Sequence, residues 1–443
     1  MAGAARRLSA VLAFAETPEF AELCRGADPA AFTRRRKLTA GVVAMAALCS
    51  ANASSECDAL VLAEAGAAPM CSRQAWDQAR DKMDAGAILA LMEMHARSFF
   101  AQEGAAELFG LVPVAIDGSG AELPTCAATL AEWGGATGRR GGREGARMGI
   151  SAAVAALDSL VVSVEPAPAF FDERSMVLAH LDAAERVVGT AGLLALLDRG
   201  YPSLPLIAGL ADAGRHFLMR CESGFLSREF AACAEAGGDL VVEAPLTRSR
   251  LKRQGPDVRD GLAGRVLKLR LVLVDIGGDA PERLVTDLSA DEAPRDELRG
   301  AYRDRWNAET AFGGMKGPLR LEEGWHGRSR NVLLQNLYAT ALLLNVLEDM
   351  RRDATELAVA RGASTRAEGA VGIRAKRSYC ACVLKLGLRR AARDPGRARV
   401  CCLLMVEEMS TSWEPVRPGR HYPRDALRHG GRRRATCTSK RAF

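Results

Sequence analysis

The sequence predicts a mixed α/β fold, with an all-helical N-terminal region in front and a β-rich block interrupting it. Three observations carry that expectation. Through residues 1–105, Ala, Leu and Met recur at three- and four-residue spacing, with breaks at Asp28-Pro29 and Ala68-Pro69, as amphipathic helices require. From Leu111 short β-rich runs alternate with helical stretches, the pattern of a sheet flanked by helices rather than of a sandwich. From about His216 to Leu288 further short runs follow, separated by turn residues and with little helical periodicity.

The elements follow in order. Strands are expected at Leu111–Ile116, Gly149–Ala156, Leu160–Val164 and Leu193–Leu197, each bounded by Gly, Asp or Pro. The β-rich block adds Phe217–Arg220, Leu240–Glu243, Val266–Val274 and Leu284–Leu288, and Val266 to Leu271 alternates as a half-solvated strand does. Helical patterning resumes from Asp296 to Arg351. The remainder is rich in Arg and Ala and ends in a Gly/Arg/Pro-rich tail, expected to be partly disordered.

Composition narrows the function classes. A chain of 443 residues, 48% hydrophobic and 26% charged, has material for more than one core. The net charge of +6 is modest, but its arrangement is not even. Basic clusters stand at Arg34-Arg35-Arg36-Lys37, at Arg139-Arg140 with Arg143 and Arg147, from Arg248 to Arg253, and at Arg432-Arg433-Arg434. Each alone reads as a solvated face; four on different segments point toward a long polyanion. The 12 cysteines follow neither disulfide nor zinc spacing: Cys380 and Cys382 are one residue apart, Cys401 and Cys402 adjacent, with no paired His behind them. They read as small hydrophobes in a reducing, cytoplasmic setting. Arg6-Arg7 ahead of Leu8 to Ala15 faintly resembles a signal peptide, yet Glu16 and Glu19 follow at once, so the segment reads as a first amphipathic helix. No membrane span is expected, since Val332 to Leu347 carries Gln335, Asn336 and Asn345. The Gly-rich segment Gly134 to Gly145 lacks a Gly-Lys-Ser/Thr ending, which sets it apart from a nucleotide phosphate loop.

Two aspartates stand at matching places. Asp117 ends the run Val112 to Ile116 and precedes Gly118-Ser119-Gly120; Asp198 ends Leu193 to Leu197 and precedes Arg199-Gly200-Tyr201-Pro202-Ser203. Either one could serve a turn or cap a helix. Two in one sheet could instead bring their carboxylates together at adjacent strand ends, where open α/β sheets bind ligands. The segment Tyr302 to Lys316, YRDRWNAETAFGGMK, is more specific. Tyr302, Arg305 and Glu309 share one face of a helix, and Lys316 follows two turns on if the helix survives Gly313-Gly314. The stripe is either a solvated ladder between Arg305 and Glu309 or a surface for a phosphodiester, with Glu309 on a metal and Tyr302, Arg305 and Lys316 on phosphate oxygens. Trp306 either anchors the helix on the sheet or stacks on an unpaired base; within the β-rich block Phe217, Phe225 or Phe230 would have to serve that purpose.

The spacing Tyr, two residues, Arg, three residues, Glu, six residues, Lys resembles the motif of DDE transposases of the insertion sequence 4 family. Phe32 to Thr39 (FTRRRKLT), Ser72 to Met83 (SRQAWDQARDKM), Asp117-Gly118-Ser119, Asp198 to Ser203 (DRGYPS) and Leu284 to Leu288 (LVTDL) resemble further blocks of that family, in the right order and over most of the chain. The resemblance implies a ribonuclease-H-like sheet flanked by helices, with Asp117, Asp198 and Glu309 as catalytic, metal-binding acids. It implies a helical DNA-binding domain over residues 1–105, a catalytic domain over 106–213 and 291–352 around a β-rich insertion at 214–290, and a basic C-terminal region over 353–443. Tyr302, Arg305, Trp306 and Lys316, with Arg34, Arg35, Arg36 and Lys37, are the expected DNA contacts.

The implied cofactor is a pair of Mg2+ ions, with Mn2+ able to substitute. Magnesium takes oxygen ligands, and two such ions about 3.5–4 Å apart serve the attacking and leaving oxygens of an in-line displacement. Asp117 would bridge them, with Asp198 and Glu309 each completing one site. Water would free a 3′ hydroxyl at the element end, and that hydroxyl would then attack target DNA. Implied partners are the terminal inverted repeats, target DNA and a second protomer or more in the DNA complex; the implied location is the bacterial cytoplasm, on the nucleoid. Two alternatives share the fold: a repurposed end-binding protein without catalysis, and a nuclease that cuts without joining. A tyrosine recombinase does not fit, because no tyrosine follows the fragment His421 to Arg424.

Overall fold

The computed structural model describes residues 3–33, 37–50, 54–136, 144–189, 192–275, 281–325 and 327–417. Arg34, Arg35, Arg36, the cluster Arg139, Arg140 and Arg143, and the tail with Arg432, Arg433 and Arg434 lie outside the described residues.

The N-terminal region forms α1 (Gly3–Phe14), α2 (Pro18–Leu23), α3 (Ala40–Leu48), α4 (Ser55–Glu64), α5 (Arg73–Lys82) and α6 (Ala85–Glu103). Thr17, Thr39, Ser54, Ser72 and Asp84 stand just before the last five of these and accept backbone N–H groups of their first turns. Those donors have no partner inside a helix, so each cap removes an unmet hydrogen bond.

The sheet then begins with β1 (Val112–Glu122), followed by α7 (Ala127–Trp133), β2 (Gly135–Ala136), β3 (Gly145–Ala155), β4 (Leu160–Ala167), α8 (Val177–Val188), β5 (Leu193–Leu197), α9 (Leu204–Asp212) and β6 (His216–Arg220). The chain continues through α10 (Ser227–Glu235), β7 (Asp239–Pro245), α11 (Pro256–Leu262), β8 (Val266–Val274) and β9 (Glu282–Thr286). Among the described residues these strands make one nine-stranded sheet in the order β2-β3-β1-β5-β6-β9-β8-β7, with β4 also on β3. β1 and β3 run antiparallel, while β1, β5 and β6 run parallel. A parallel strand in the middle of a sheet is covered on both faces, which is why Leu193–Leu197 is apolar throughout and wholly buried. A mixed sheet flanked by helices is the ribonuclease-H-like fold expected from the sequence.

Two expectations need correction. Strand His216–Arg220, placed within the insertion, pairs in parallel with β5 and belongs to the central sheet. The three strands after it are not a separate unit either: β9 pairs with β6, and β8 and β7 follow, so the block lengthens the same sheet. Pairing with β9 satisfies backbone groups of β6 that would otherwise form an open edge.

The rest of the chain is helical: α12 (Arg295–Arg303), α13 (Trp306–Lys316), α14 (Arg330–Ala360), α15 (Arg377–Arg393) and α16 (Ala398–Met409), with a small sheet of β10 (Gly372–Ala375) and β11 (Trp413–Val416). α14 is the spine. Its polar residues are docking groups: Asn345 exchanges both hydrogen bonds with the Val161 backbone at 2.7 and 2.8 Å, and Gln335 donates to the Arg80 and Met83 carbonyls. The buried Arg80 of α5 donates to Asn336 at 2.8 Å. Arg7 of α1 grips Asp349 through Nε at 2.8 Å and Nη2 at 2.5 Å. The helical region thus shares one apolar core with the sheet and the C-terminal helices, running from Ala4 through Ala115 to Met409. Among the described residues no helix is long and apolar enough to cross a membrane.

Candidate active site

Register brings the two aspartates together. The parallel pairing of β1 with β5 ends at Ala115↔Leu196, and Asp117 and Asp198 each stand two residues beyond it. Alternation along a strand then points both toward the face of Ala115 and Leu196. That is the face against which α13 packs β1. Asp117 is not a strand end, as expected from its Gly-rich sequel: β1 runs on to Glu122, paired with β3 as Asp117↔Ala152. Only the β5 side stops there, and that is what opens the Asp117 carboxylate to a ligand.

The helix expected to carry the Tyr, Arg and Glu is broken. α12 ends at Arg303, α13 starts at Trp306, and Asp304 and Arg305 form the turn between them. The residues converge all the same. Tyr302, 5% exposed, donates its hydroxyl to Asp198 Oδ1 at 2.9 Å. Arg305, 2% exposed, donates through Nη2 to Glu309 Oε1 at 3.0 Å. Its guanidinium also lies 3.8 Å from Asp198 Oδ2 and 4.0 Å from Asp117 Oδ2. The three acids therefore surround one buried cation, and its Nε and Nη1 have no hydrogen-bond partner.

α13 survives its Gly-Gly pair. A Cβ on Gly314 would lie 2.7 Å from Leu344 Cδ1, so that glycine lets α13 lie close against α14 and carries Lys316 to the sheet. Lys316 Nζ donates to Ser119 Oγ at 2.8 Å and to the Gly120 carbonyl at 2.6 Å, and stands 3.7 Å from Glu322. Arg147, grouped in the sequence with a glycine-rich basic loop, lies over Gly120, where a Cβ would meet its Nε at 2.0 Å. Trp306 is 47% exposed beside the site, with the Arg305 guanidinium 5.5 Å from its ring. That exposure does not fit a ring anchored in the core. Phe217 and Phe230 are buried in the core, which removes them as base-stacking candidates.

Other expected DNA contacts lie elsewhere. Lys37 lines a separate groove of about 500 Å³ with Phe32 and Lys82. In the cluster from Arg248 to Arg253, Arg248 pairs with Asp260 at 3.2 Å and Arg250 with Glu229.

Electrostatics follow from burial. Burial pushes the Asp117 carboxyl up to about 6; the Gly118 N–H and Arg305 oppose it, while Glu173 and Glu309 add to it. Burial acts on Asp198 too, but the Arg199 N–H, Arg305 and the Tyr302 hydroxyl hold it below the usual carboxylate range. Burial pushes the Tyr302 phenol up, so it stays a donor. Two residues the sequence reading did not single out belong here. Tyr201, 2% exposed, donates to Glu173 Oε2 at 2.9 Å, and Glu173 lies beside Gly118. Tyr201 stands in the DRGYPS block, but Glu173 has no local signal at all.

All-oxygen donors gathered about a buried cation are of the kind a hard divalent ion takes. Among the described residues no three His, Cys, Asp or Glu side chains are close enough together to hold a metal, because the Arg305 guanidinium lies between the acids. The chemistry of the donors, three carboxylates, is that of a site for such an ion.

A mixed sheet with this acidic site where β5 stops beside β1 defines a class suited to phosphodiester chemistry. The transposase DDE domain family matches residues 109–346, more than half of the chain, and the chain belongs to that family. It is a DDE transposase: it binds DNA, cleaves and joins strands in DNA transposition, and depends on divalent metal as its family generally does. Among solved structures, the piggyBac transposase in a synaptic complex with hairpin DNA aligns with 87% of this chain and 80% of its own, at 9% identity and a TM-score of 0.45. No curated protein matches the sequence.

Proposed function

We propose that the chain is a cut-and-paste transposase of the insertion sequence 4 type, with Asp117, Asp198 and Glu309 as its catalytic acids and Tyr302, Arg305, Glu309 and Lys316 as the family signature. The single observation that carries this reading is the convergence of all three acids on Arg305, at 3.0, 3.8 and 4.0 Å, from places 81 and 111 residues apart in the chain. Asp117, Asp198 and Glu309 would hold two Mg2+ ions, or Mn2+, which when bound would supply activation of the attacking oxygen and stabilisation of the leaving one.

The chain's own groups do the remainder. Tyr302 orients Asp198 and keeps it ionised. Arg305 balances the three acids, and its free Nε and Nη1 are donors ready for phosphate oxygens when DNA enters. Lys316 and Arg147 set a positive edge along Gly120, where a phosphate backbone is positioned without sequence preference. Trp306 offers an exposed ring on which an unpaired base at the cut end stacks. The helical N-terminal domain with Lys37 grips the terminal inverted repeats, two or more protomers join in the DNA complex, and the reaction proceeds on the bacterial nucleoid.

The test is magnesium-dependent nicking of terminal-repeat DNA, followed by strand transfer. Glu309→Ala is expected to abolish nicking and leave end binding intact. Loss of both counts against the assigned role; nicking by the wild type without any joining identifies a nuclease instead, and end binding by the wild type without nicking identifies a repurposed binding protein.

A further inference from the structure

Glu173 opens a short 3-10 turn, Glu173–Met176, in front of α8. Three contacts bring it to the Asp117 site. A Cβ on Gly118 would sit 2.2 Å from its Oε1 and 2.3 Å from its Cδ, so only a glycine after Asp117 leaves the carboxylate its place. The buried Tyr201 hydroxyl holds Oε2 at 2.9 Å. Next along the turn, Arg174 donates through Nε and Nη2 to the Gly200 carbonyl at 2.9 and 2.7 Å, clamping the turn on the loop after Asp198. Two of the catalytic acids' neighbours, Gly118 and Tyr201, thus serve one glutamate far away in the chain.

Glu173 thus adds a fourth carboxylate on the Asp117 side of the three that surround Arg305. That arginine, 2% exposed, turns toward Asp117 an Nη1 that makes no hydrogen bond and stands 4.0 Å from Oδ2. A buried tyrosine devoted to fixing a half-buried glutamate beside such a site has a purpose if the glutamate faces a cation. We propose that Glu173 is a fourth metal-directed carboxylate, on the Asp117 side, set in place by Tyr201 and given room by Gly118. This rests on the metal-binding reading of Asp117 above.

The probe is Mn2+ alone, titrated into the full-length protein and followed by the electron paramagnetic resonance of free Mn2+. Glu173→Gln is expected to weaken Mn2+ binding about tenfold or more, as loss of a carboxylate at a metal site does. Tyr201→Phe, which removes one hydrogen bond, is expected to weaken it about threefold. Gly118→Ala should match Glu173→Gln. Glu173→Gln should melt as the wild type does without metal and lose part of the Mn2+-induced rise in Tm; a merely structural glutamate would move the metal-free value instead. Wild-type Mn2+ affinity in Glu173→Gln, with Asp117→Asn impaired, overturns the proposal and leaves the parent reading standing. If Asp117→Asn also binds normally, that reading fails too. Should Glu173→Gln not fold, Glu173→Asp, shorter by one methylene, serves in its place, and unchanged affinity there is equally fatal.

Discussion

Two arginines of this protein are buried among carboxylates, and they are used in opposite ways. Arg7 ties α1 to α14. Its Nε and Nη2 take both oxygens of Asp349, and its Nη1 reaches Glu103 at 2.7 Å and Gln102 at 3.1 Å. Every nitrogen is satisfied, and the Asp349 side chain is wholly buried. Arg305 is as deeply buried but makes one hydrogen bond to its three acids, whose side chains remain 20%, 31% and 36% exposed. Desolvating a charge is unfavourable unless pairing compensates fully. The first arrangement compensates and holds the fold; the second is left incomplete, with its three acids partly open to solvent.

The contrast can be tested by breaking each arrangement, beginning with the largest effect. Asp117→Asn or Glu309→Ala should lower metal-dependent strand cleavage by about a thousandfold or more, the scale of losing a central electrostatic stabiliser. Either variant should unfold in urea close to the wild type. Asp349→Ala should do the reverse: it strands a buried Arg7 and is expected to cost about 3–5 kcal/mol of stability by urea denaturation. Arg305→Ala should cost about 1 kcal/mol or less, because water can reach the three acids it leaves behind.

A third buried group avoids charge altogether. His180 lies between Ser163 and Ser151, its ring nitrogens 2.9 and 2.8 Å from their hydroxyls, and burial pushes its pKa down to about 4. Its unfolded value is near 6.5, so between those limits the unfolded chain binds the extra proton. Stability from His180 is therefore intact above about pH 6.5 and lost as pH falls toward 4, by about 3 kcal/mol in all. Equilibrium unfolding against pH should show that slope, and His180→Gln should flatten it. The smallest expected effect on stability belongs to Trp306. Trp306→Ala should change stability by less than about 0.5 kcal/mol, and weaken binding to an unpaired DNA end by about 1–3 kcal/mol in a fluorescence titration.

Part of this molecule was legible without coordinates. The spacing from Tyr302 to Lys316 and the aspartates after two apolar runs pointed to the residues that converge on Arg305. Those signals are local: alternation, helical period and a polar residue after a buried strand all arise within a few residues of chain. The helical N-terminal region was legible for the same reason, from the three- and four-residue recurrence of Ala, Leu and Met, whereas the Ser, Thr and Asp caps of its helices emerge only in the structure.

Other features depended on partners remote in the chain. Whether His216–Arg220 lay in an insertion or beside β5 was a matter of strand order, which a short apolar run does not encode. Trp306 looks the same in sequence whether it anchors or projects, and only the turn at Asp304 and Arg305 put it at the surface. Glu173 had no spacing to betray it: its place beside Asp117 follows from a glycine on β1 and a tyrosine after β5. The sequence by itself determined which residue types could do the chemistry and the elements that bear them. The tertiary structure alone decided which of them meet, because register and packing join groups that local physics leaves independent.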